Sequence, residues 1–143
     1  MGWDVISALK CIKKLGINYK KNTNFYEIEG LGLEGYKTEG NIELDAGNSG
    51  TLARLILGLL VNSKHKIKIS GDKSLSKRDF SRVTEPLKEF GVRITSKKKM
   101  LPVEIAGSNF LRPIKYTEKL GSAQCKSTVM LAAIKTPGIT KIK

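Results

Sequence analysis

Cysteine and histidine are scarce in this chain, which limits the metal and disulfide chemistry open to it. The sequence has two cysteines, Cys11 and Cys125, and a single histidine, His65. The cysteines are far apart and lack both the paired spacing of a zinc site and the density of a disulfide framework. The sequence therefore predicts no metal site and a reduced, cytoplasmic setting, with His65 as a solvated side chain.

Long apolar runs are also lacking. No run reaches the roughly 18 to 20 residues that cross a bilayer, and the N-terminus does not have the basic and then apolar layout of a secretory signal. The 143 residues are 40% hydrophobic and 27% charged, which is typical of a folded domain with its own core. Membrane-spanning and disordered classes are excluded on these grounds.

Acidic residues are few relative to basic ones, 13 against 26, and the resulting net charge of +13 is unusual. Such a charge indicates an anionic partner, a lysine-rich proteome, or a chain separated from an acidic remainder. Aromatic residues are only 6% of the chain and do not alternate with basic ones, as they do on nucleic-acid-binding surfaces. A basic nucleic-acid-binding module is therefore an alternative that ranks behind a site for small anions.

The most informative stretch is a polar turn with paired glycines, at 47–51, which leads directly into an apolar run. Asn48 and Ser49 are favourable N-cap residues, and the apolar residues that follow have helical spacing. The first turn of such a helix leaves N–H groups unpaired and carries the positive end of the helix dipole, while Gly47 and Gly50 let a ligand approach the backbone. This pattern predicts an anion site, and a capped core helix without a ligand has the same signature.

Hydrophobic spacing elsewhere predicts a mixed α/β chain of short elements. Helices are expected over Asp4–Leu15, Leu52–Val61 with its preceding cap, 81–90 and Ser122–Ile134. Strands are expected over Ile17–Lys20, Phe25–Glu29, Asn41–Leu44, His65–Ser70, Val92–Thr95, Val103–Ala106, Pro113–Tyr116 and Ile139–Ile142. A polar loop anchored by Leu75 is expected between residues 71 and 78, and Pro86 is expected in a first helical turn or at a kink.

These elements recur along the chain. The turn at 47–50 with its apolar helix matches 121–124 with the last helix, and each half also has a helix that ends at glycine before a hairpin. The sequence therefore predicts two copies of one unit, about 1–70 and 71–143, that pack against each other. If the two polar helix starts converge, they form a site for a substrate with two anionic groups.

Four ordered motifs carry a specific resemblance. They are Leu44-Asp45-Ala46-Gly47-Asn48-Ser49-Gly50-Thr51-x-x-Arg54, Gly71-Asp72-x-Ser74-Leu75-Ser76-x-Arg78, Arg82-Val83-Thr84-Glu85-Pro86-Leu87 and Ser122-Ala123-Gln124-x-Lys126-Ser127. Together they resemble the 5-enolpyruvylshikimate-3-phosphate synthase family of enolpyruvyl transferases. The resemblance implies an inside-out α/β barrel domain of βαβαββ repeats, with helices inside and sheets outside. Residues 1–143 would be a single partial domain with about two of three repeats, lacking the family's second domain and its N-terminal glycine, lysine and serine motif.

The resemblance also implies a reaction. Members transfer the enolpyruvyl group of phosphoenolpyruvate to the 5-hydroxyl of shikimate 3-phosphate and release phosphate, in the shikimate pathway towards chorismate and the aromatic amino acids. They use no metal or cofactor. Because much of the acid–base machinery belongs to parts absent from this chain, no catalytic residue is assigned within it. The chain alone is expected to be inactive.

Site residues follow from the same motifs. Those implied to contact phosphoenolpyruvate are Gly50, Arg78 and Gln124. Those implied to bind shikimate 3-phosphate are Ser122, Ala123 and Gln124. Supporting residues are Asn48, Thr51 and Arg54. For Arg54, a role in the site and a role in a structural ion pair are equally open, and Lys126 is expected to be solvated.

Two positions depart from the family pattern. Asp79 stands where the family usually has proline, and its carboxylate is expected to pair with Arg78 and weaken the hold of that arginine on substrate. Ala123 stands where some members have a second serine, which is of little consequence. Gly50 is the residue of glyphosate-sensitive members, so the complete enzyme is expected to be sensitive to glyphosate.

Two alternatives remain beside the nucleic-acid-binding module. A sister family transfers enolpyruvyl to UDP-N-acetylglucosamine, but it usually has a reactive cysteine in the loop that corresponds to 71–78, where this chain has none. The other alternative is a non-catalytic repeat module that binds nothing. The complete protein is expected to be a monomer, and self-association of this chain through exposed edges is left open.

Overall fold

The fold was analysed in a computed structural model, which describes residues 2–33, 35–37 and 40–143. It is a mixed α/β structure. The helices are α1 (Trp3–Lys14), α2 (Gly50–Leu59), α3 (Ser81–Glu89) and α4 (Ala123–Ile134). The strands are β1 (Tyr19–Lys21), β2 (Tyr26–Ile28), β3 (Ile42–Asp45), β4 (Lys66–Ser70), β5 (Arg93–Ser96), β6 (Val103–Ala106), β7 (Lys115–Tyr116) and β8 (Lys141–Ile142). Each predicted helix and strand is present, with bounds that agree to within about two residues.

The main sheet has the strand order β3-β4-β6-β5. Strands β3 and β4 are parallel, as expected for strands joined by a helical crossover, whereas β6 pairs antiparallel with both β4 and β5. The other two sheets are the antiparallel hairpin β1-β2 and the parallel pair β7-β8. The order helix, hairpin, strand, helix, strand thus occurs twice among these elements.

The sheet alternates between a buried and a solvent-facing side because successive side chains point in opposite directions. Ile67 and Ile69 of β4 are fully buried against the helices, as are Val103 and Ile105 of β6. On the outer face, Lys68 pairs with Glu43 at 3.1 Å and Lys66 with Glu104 at 3.5 Å. Helices therefore lie inside and the charged sheet face lies outside, as the resemblance implied.

Helices α2 and α4 cross in close contact at the centre of the fold. A methyl group added to Gly58 of α2 would lie 2.3 Å from the carbonyl oxygen of Thr128 in α4. The hydroxyl of Thr128 in turn donates to the carbonyl of Arg54 at 3.1 Å. This crossing fixes how the first turns of the two helices lie relative to each other.

Helix α3 begins where it was predicted, and of the two places expected for Pro86 the first turn is excluded. Pro86 lies beyond the first turn and is buried within the helix, not at its start. Since proline has no N–H, the helix loses one backbone hydrogen bond there, and burial of Val83 and Leu87 offsets the loss. In the described part of the chain, none of the helices is long and apolar enough to cross a membrane.

Candidate anion-binding site at the starts of two helices

The turn before α2 is built from short hydrogen bonds. Gly47 has a φ of 58°, which favours glycine, and its N–H donates to the carboxylate of Asp45 at 2.8 Å. Ser49 is the N-cap, because its hydroxyl oxygen accepts from the N–H of Leu52 at 3.3 Å. The N-cap that the sequence predicted at Ser49 is confirmed, and the hydrogen bonds of the turn fix the orientation of the first turn of α2.

Asp72 joins this turn to the loop at 71–80. Its carboxylate accepts from the side-chain amide of Asn48 at 2.6 Å and from the N–H groups of Leu75 and Ser74 at 2.7 and 3.0 Å. The bond from Leu75, followed by that from Asn48, lowers the pKa of Asp72. Leu75 is fully buried, which confirms the predicted apolar anchor, and it begins a single 3-10 turn over Leu75–Lys77. Asn48 thus connects the turn before α2 to this loop.

The two predicted helix starts lie side by side, bridged by Gln124. The side-chain amide of Gln124 donates to the hydroxyl of Thr51 at 2.8 Å, and its carbonyl oxygen accepts from Arg54 Nη1 at 3.0 Å. The same nitrogen of Arg54 donates to the carbonyl of Gly50 at 3.2 Å. Arg54 therefore joins Gln124 to the first turn of α2.

Two guanidinium groups meet at Gly50. A methyl group built on Gly50 would lie 2.7 Å from Arg54 Nη1 and 3.2 Å from Arg78 Nη1, so both side chains reach the first turn of α2. Arg54 also stacks on Phe80, with its guanidinium carbon 5.0 Å from the ring centre. Burial, with repulsion from Arg78 and Arg82, lowers the pKa of Arg54, although an arginine stays charged at neutral pH. The cluster is thus strongly electropositive.

The start of α4 contributes the other predicted residues. Ser122 caps the helix by accepting from the N–H of Cys125 at 3.3 Å, as predicted. Ala123 is exposed at the first helical position, so its small side chain leaves the helix start open. Lys126 is half-buried, so it is less solvated than expected.

One expected contact is wrong. Asp79 does not pair with Arg78; its carboxylate accepts from the N–H of Ser81 at 2.6 Å, at the start of α3. The bonds from Ser81 lower the pKa of Asp79. Because short acidic side chains bond readily to N–H groups two or three residues ahead, the carboxylate is held by α3 and Arg78 is left to face Gly50.

Other features of the molecule suit an anion less well. An apolar groove of about 250 Å³ lies beside α1 and the apolar flank of α2, and none of Gly50, Arg78 or Gln124 lines it. In the parts of the chain that the structure describes, no three histidine, cysteine, aspartate or glutamate side chains gather as a metal site. The cluster around Gly50 is therefore the strongest candidate site.

Comparisons with known proteins identify the family and the fold of the chain. The sequence profile of the EPSP synthase (3-phosphoshikimate 1-carboxyvinyltransferase) family matches residues 2–143. A 3-phosphoshikimate 1-carboxyvinyltransferase of Geobacillus kaustophilus is 38% identical over 99% of this chain and 33% of its own length. One from Streptococcus pyogenes is 39% identical over the same shares. This chain therefore spans about a third of the curated relatives it matches.

Solved structures show the same fold. The EPSP synthase of Acinetobacter baumannii superposes with a TM-score of 0.91 at 35% identity, over 100% of this chain and 33% of the other. The enolpyruvyl transferase NikO of Streptomyces tendae has a TM-score of 0.64 at 15% identity, over 96% of this chain and 31% of its own, which shows the fold alone. Since the family profile matches nearly every residue, the chain belongs to the EPSP synthase (3-phosphoshikimate 1-carboxyvinyltransferase) family.

Proposed function

We propose that this chain forms one wall of an enolpyruvyl transferase site, which binds phosphoenolpyruvate and the phosphate of shikimate 3-phosphate. The complete enzyme transfers the enolpyruvyl group to the 5-hydroxyl of shikimate 3-phosphate and releases phosphate. The observation that carries this proposal is the cluster of Gly50, Arg54, Arg78 and Gln124 at two adjacent helix starts. Family membership, shown for the chain, supports the same reaction.

The proposed roles follow from charge and access. Phosphoenolpyruvate lies against the backbone of Gly50, beside the guanidinium groups of Arg54 and Arg78, and Arg78 pairs with its anionic groups. A guanidinium fork binds carboxylate or phosphate through charge-assisted hydrogen bonds of about 1.5–3 kcal/mol each. Gln124 lies between the two substrates, with its amide oriented by Arg54 and Thr51. Ser122 and Ala123 receive the shikimate phosphate at the start of α4, where the helix dipole favours an anion.

This chain alone is proposed to be catalytically silent. It holds one set of anion contacts, while the relatives are about three times as long and supply the remaining groups. The two free cysteines, both buried, fit a reducing, cytoplasmic compartment. No cysteine lies in the loop at 71–78, which argues against transfer to UDP-N-acetylglucosamine.

Amide NMR of the 15N-labelled chain tests the binding part of the proposal. We expect shikimate 3-phosphate, at moderate salt, to cause saturable shifts at Gly50, Ser122 and Gln124, and we expect none of this pattern with inorganic phosphate or a short DNA duplex. Addition of phosphoenolpyruvate should extend the shifts to Arg78. Broad movement of lysine-rich segments with DNA, without shifts from the substrate, would contradict the proposal and favour electrostatic binding of nucleic acid.

A matched pair of arginine variants sharpens this experiment. Arg78→Gln removes the fork at Gly50 and should weaken phosphoenolpyruvate binding about tenfold, because one or more charged hydrogen bonds are lost. Arg93→Gln removes the same charge from the exposed strand β5 and should leave binding unchanged. Equal weakening by both would mean that net charge, not this site, binds the ligand.

Transfer activity is tested in a hybrid enzyme. Residues 2–143 would replace the matching third of the Geobacillus kaustophilus relative, and formation of the enolpyruvyl product would be measured. We expect activity in the hybrid, loss of activity with Arg78→Gln, and none in the chain alone. A folded hybrid without activity would contradict the proposal that this chain forms one wall of the site. Activity in the chain alone would contradict the proposal that the remaining groups come from the rest of the enzyme.

A further inference from the structure

Outside the arginine cluster, the structure contains a carboxylate that is almost completely covered. The side chain of Glu118 is only 3% exposed and accepts from Arg82 Nη2 at 2.9 Å. It also accepts from the N–H of Leu120 at 2.9 Å and from the hydroxyl of Tyr116. We refer to Glu118, Arg82 and Tyr116 as the Glu118 clamp. No sequence motif marks Glu118 or Tyr116, because the pairing of Glu118 with Arg82 of α3 depends on the fold.

The clamp joins the two loops that carry the proposed substrate contacts. Arg82 lies in the first turn of α3, directly after the loop of Arg78 and the residue that donates its N–H to Asp79. Glu118 lies four residues before Ser122, the N-cap of α4. The backbone of the same segment is also fixed, since the N–H of Glu118 donates to the carbonyl of Lys143 at 3.1 Å.

The turn that follows the clamp has little packing of its own. Leu120 is 73% exposed, and a methyl group added to Gly121 would meet nothing within 4 Å. Gly121 has a φ of 68°, a left-handed conformation that favours glycine, just before Ser122. With so few apolar contacts, the position of Ser122 depends on the hydrogen bonds that hold the preceding residues.

We propose that Glu118 is a positioning residue, which together with Arg82 and Tyr116 sets the distance between the Arg78 loop and the Ser122 turn. It does not touch substrate. By holding the two loops in one arrangement, it allows two anionic groups of the proposed substrates to be bound at a fixed spacing. The role of the clamp in substrate binding rests on the proposed function, but its effect on the Ser122 turn can be measured without ligand.

The test compares two glutamate variants of this chain. Glu118→Gln keeps the shape of the side chain but removes its charge, which leaves Arg82 and Tyr116 without their full acceptor. Glu85→Gln removes a carboxylate from α3, the helix that contains Arg82; Glu85 is exposed there and pairs with Lys88 at 2.9 Å. Tyr116→Phe removes one donor and should give a smaller effect in the same direction.

Amide hydrogen exchange is the first measurement. In Glu118→Gln we expect exchange of the Cys125 N–H, which bonds to Ser122, to rise about tenfold, while the amides of Ile67 and Ile69 stay as protected as before. Glu85→Gln should change neither. Unchanged exchange at Cys125 would overturn the proposal, and an equal rise at Ile67 and Ile69 would show a contribution to global stability only.

Shikimate 3-phosphate binding is the second measurement. We expect about a tenfold rise in Kd for Glu118→Gln and no change for Glu85→Gln. If the Kd is unchanged although Cys125 exchanges faster, the positioning role is refuted. If the unmodified chain binds no shikimate 3-phosphate, the proposed function of this chain fails, and the exchange result alone decides whether the clamp holds the Ser122 turn.

Discussion

At Gly50, the lack of a side chain lets two guanidinium groups approach the backbone of the first turn of α2. A methyl group there would lie 2.7 Å from Arg54 Nη1 and 3.2 Å from Arg78 Nη1, both of which are ends of flexible side chains. The arginines can therefore move aside, but they would then leave the positions from which they face a ligand. Gly50 therefore permits the observed placement of both arginines.

We expect Gly50→Ala to weaken phosphoenolpyruvate binding while changing the free energy of unfolding only slightly. Alanine is favoured over glycine within a helix by about 1 kcal/mol, so the free energy of unfolding should change by no more than about that amount. Phosphoenolpyruvate binding should weaken about tenfold, because the fork of Arg78 is displaced. Urea unfolding and calorimetric titration of the same samples measure the two quantities.

Gly30→Ala is the matched control, since a methyl group at Gly30 meets nothing within 4 Å. It should leave binding unchanged. If Gly50→Ala binds phosphoenolpyruvate as tightly as the unmodified chain, Gly50 does not face the ligand.

Single residues also show where reasoning from sequence is limited. The caps at Ser49 and Ser122 were predictable, because a cap depends on neighbours within three residues. The partners of Arg54 and Asp79 were not. Gln124 reaches Arg54 only after α2 and α4 pack together. For Asp79, both the Arg78 side chain and the Ser81 N–H were within reach along the chain, and in the structure Asp79 bonds to Ser81.

At the scale of elements, α2 and α4 begin in the same way but differ in their proposed task. Ser49 and Ser122 each accept from an N–H three residues ahead at 3.3 Å. Only Ser122 is proposed to bind the shikimate phosphate, and Ser49 is buried, with 5% exposure. The two serines therefore form a natural pair for comparison.

We expect Ser122→Ala and Ser49→Ala each to lower the free energy of unfolding by about 1 kcal/mol, since each removes one cap. Ser122→Ala should in addition weaken shikimate 3-phosphate binding about tenfold, through loss of a hydrogen bond to an anion. Ser49→Ala should not. Urea unfolding and NMR titration measure the effects, and an equal loss of binding in both variants would assign the effect to the helices, not to Ser122.

The elements themselves were largely predictable, but their pairing was not. Helical spacing and strict alternation mark α2, α4 and β4 within a few residues of sequence. The antiparallel pairing of β4 with β6 joins the two halves of the chain, and nothing in either strand alone specifies it. Register of this kind depends on long-range packing, which periodicity cannot report.

At the scale of the whole molecule, the positive charge is only partly offset by the few carboxylates, several of which accept hydrogen bonds. Hydrogen bonds lower the pKa values of four of them, namely Glu43, Asp72, Asp79 and Glu118. For Glu118, the bond from Tyr116 contributes most and brings the pKa to about 2. Because 26 basic residues stay charged in acid, each proton added to a carboxylate increases the repulsion within the chain.

We therefore expect the chain to be unstable in acid. A carboxyl group whose pKa is lower in the folded state than in the unfolded state contributes stability above its unfolded pKa and loses it as the pH falls towards the folded value. With ordinary values of 3.8 for aspartate and 4.5 for glutamate, the loss should begin near pH 4.5 and continue to about pH 2. Urea unfolding at a series of pH values measures it.

Glu118→Gln provides the decisive comparison at this scale. The variant cannot lose a proton at position 118, so it should be less stable than the unmodified chain at pH 7 and approach it as the pH falls below 4. The difference arises because Glu118 remains ionised in the folded state down to about pH 2, whereas it is already protonated in the unfolded chain. A constant difference between the two proteins from pH 7 to pH 3 would mean that the charge of Glu118 does not stabilise the fold.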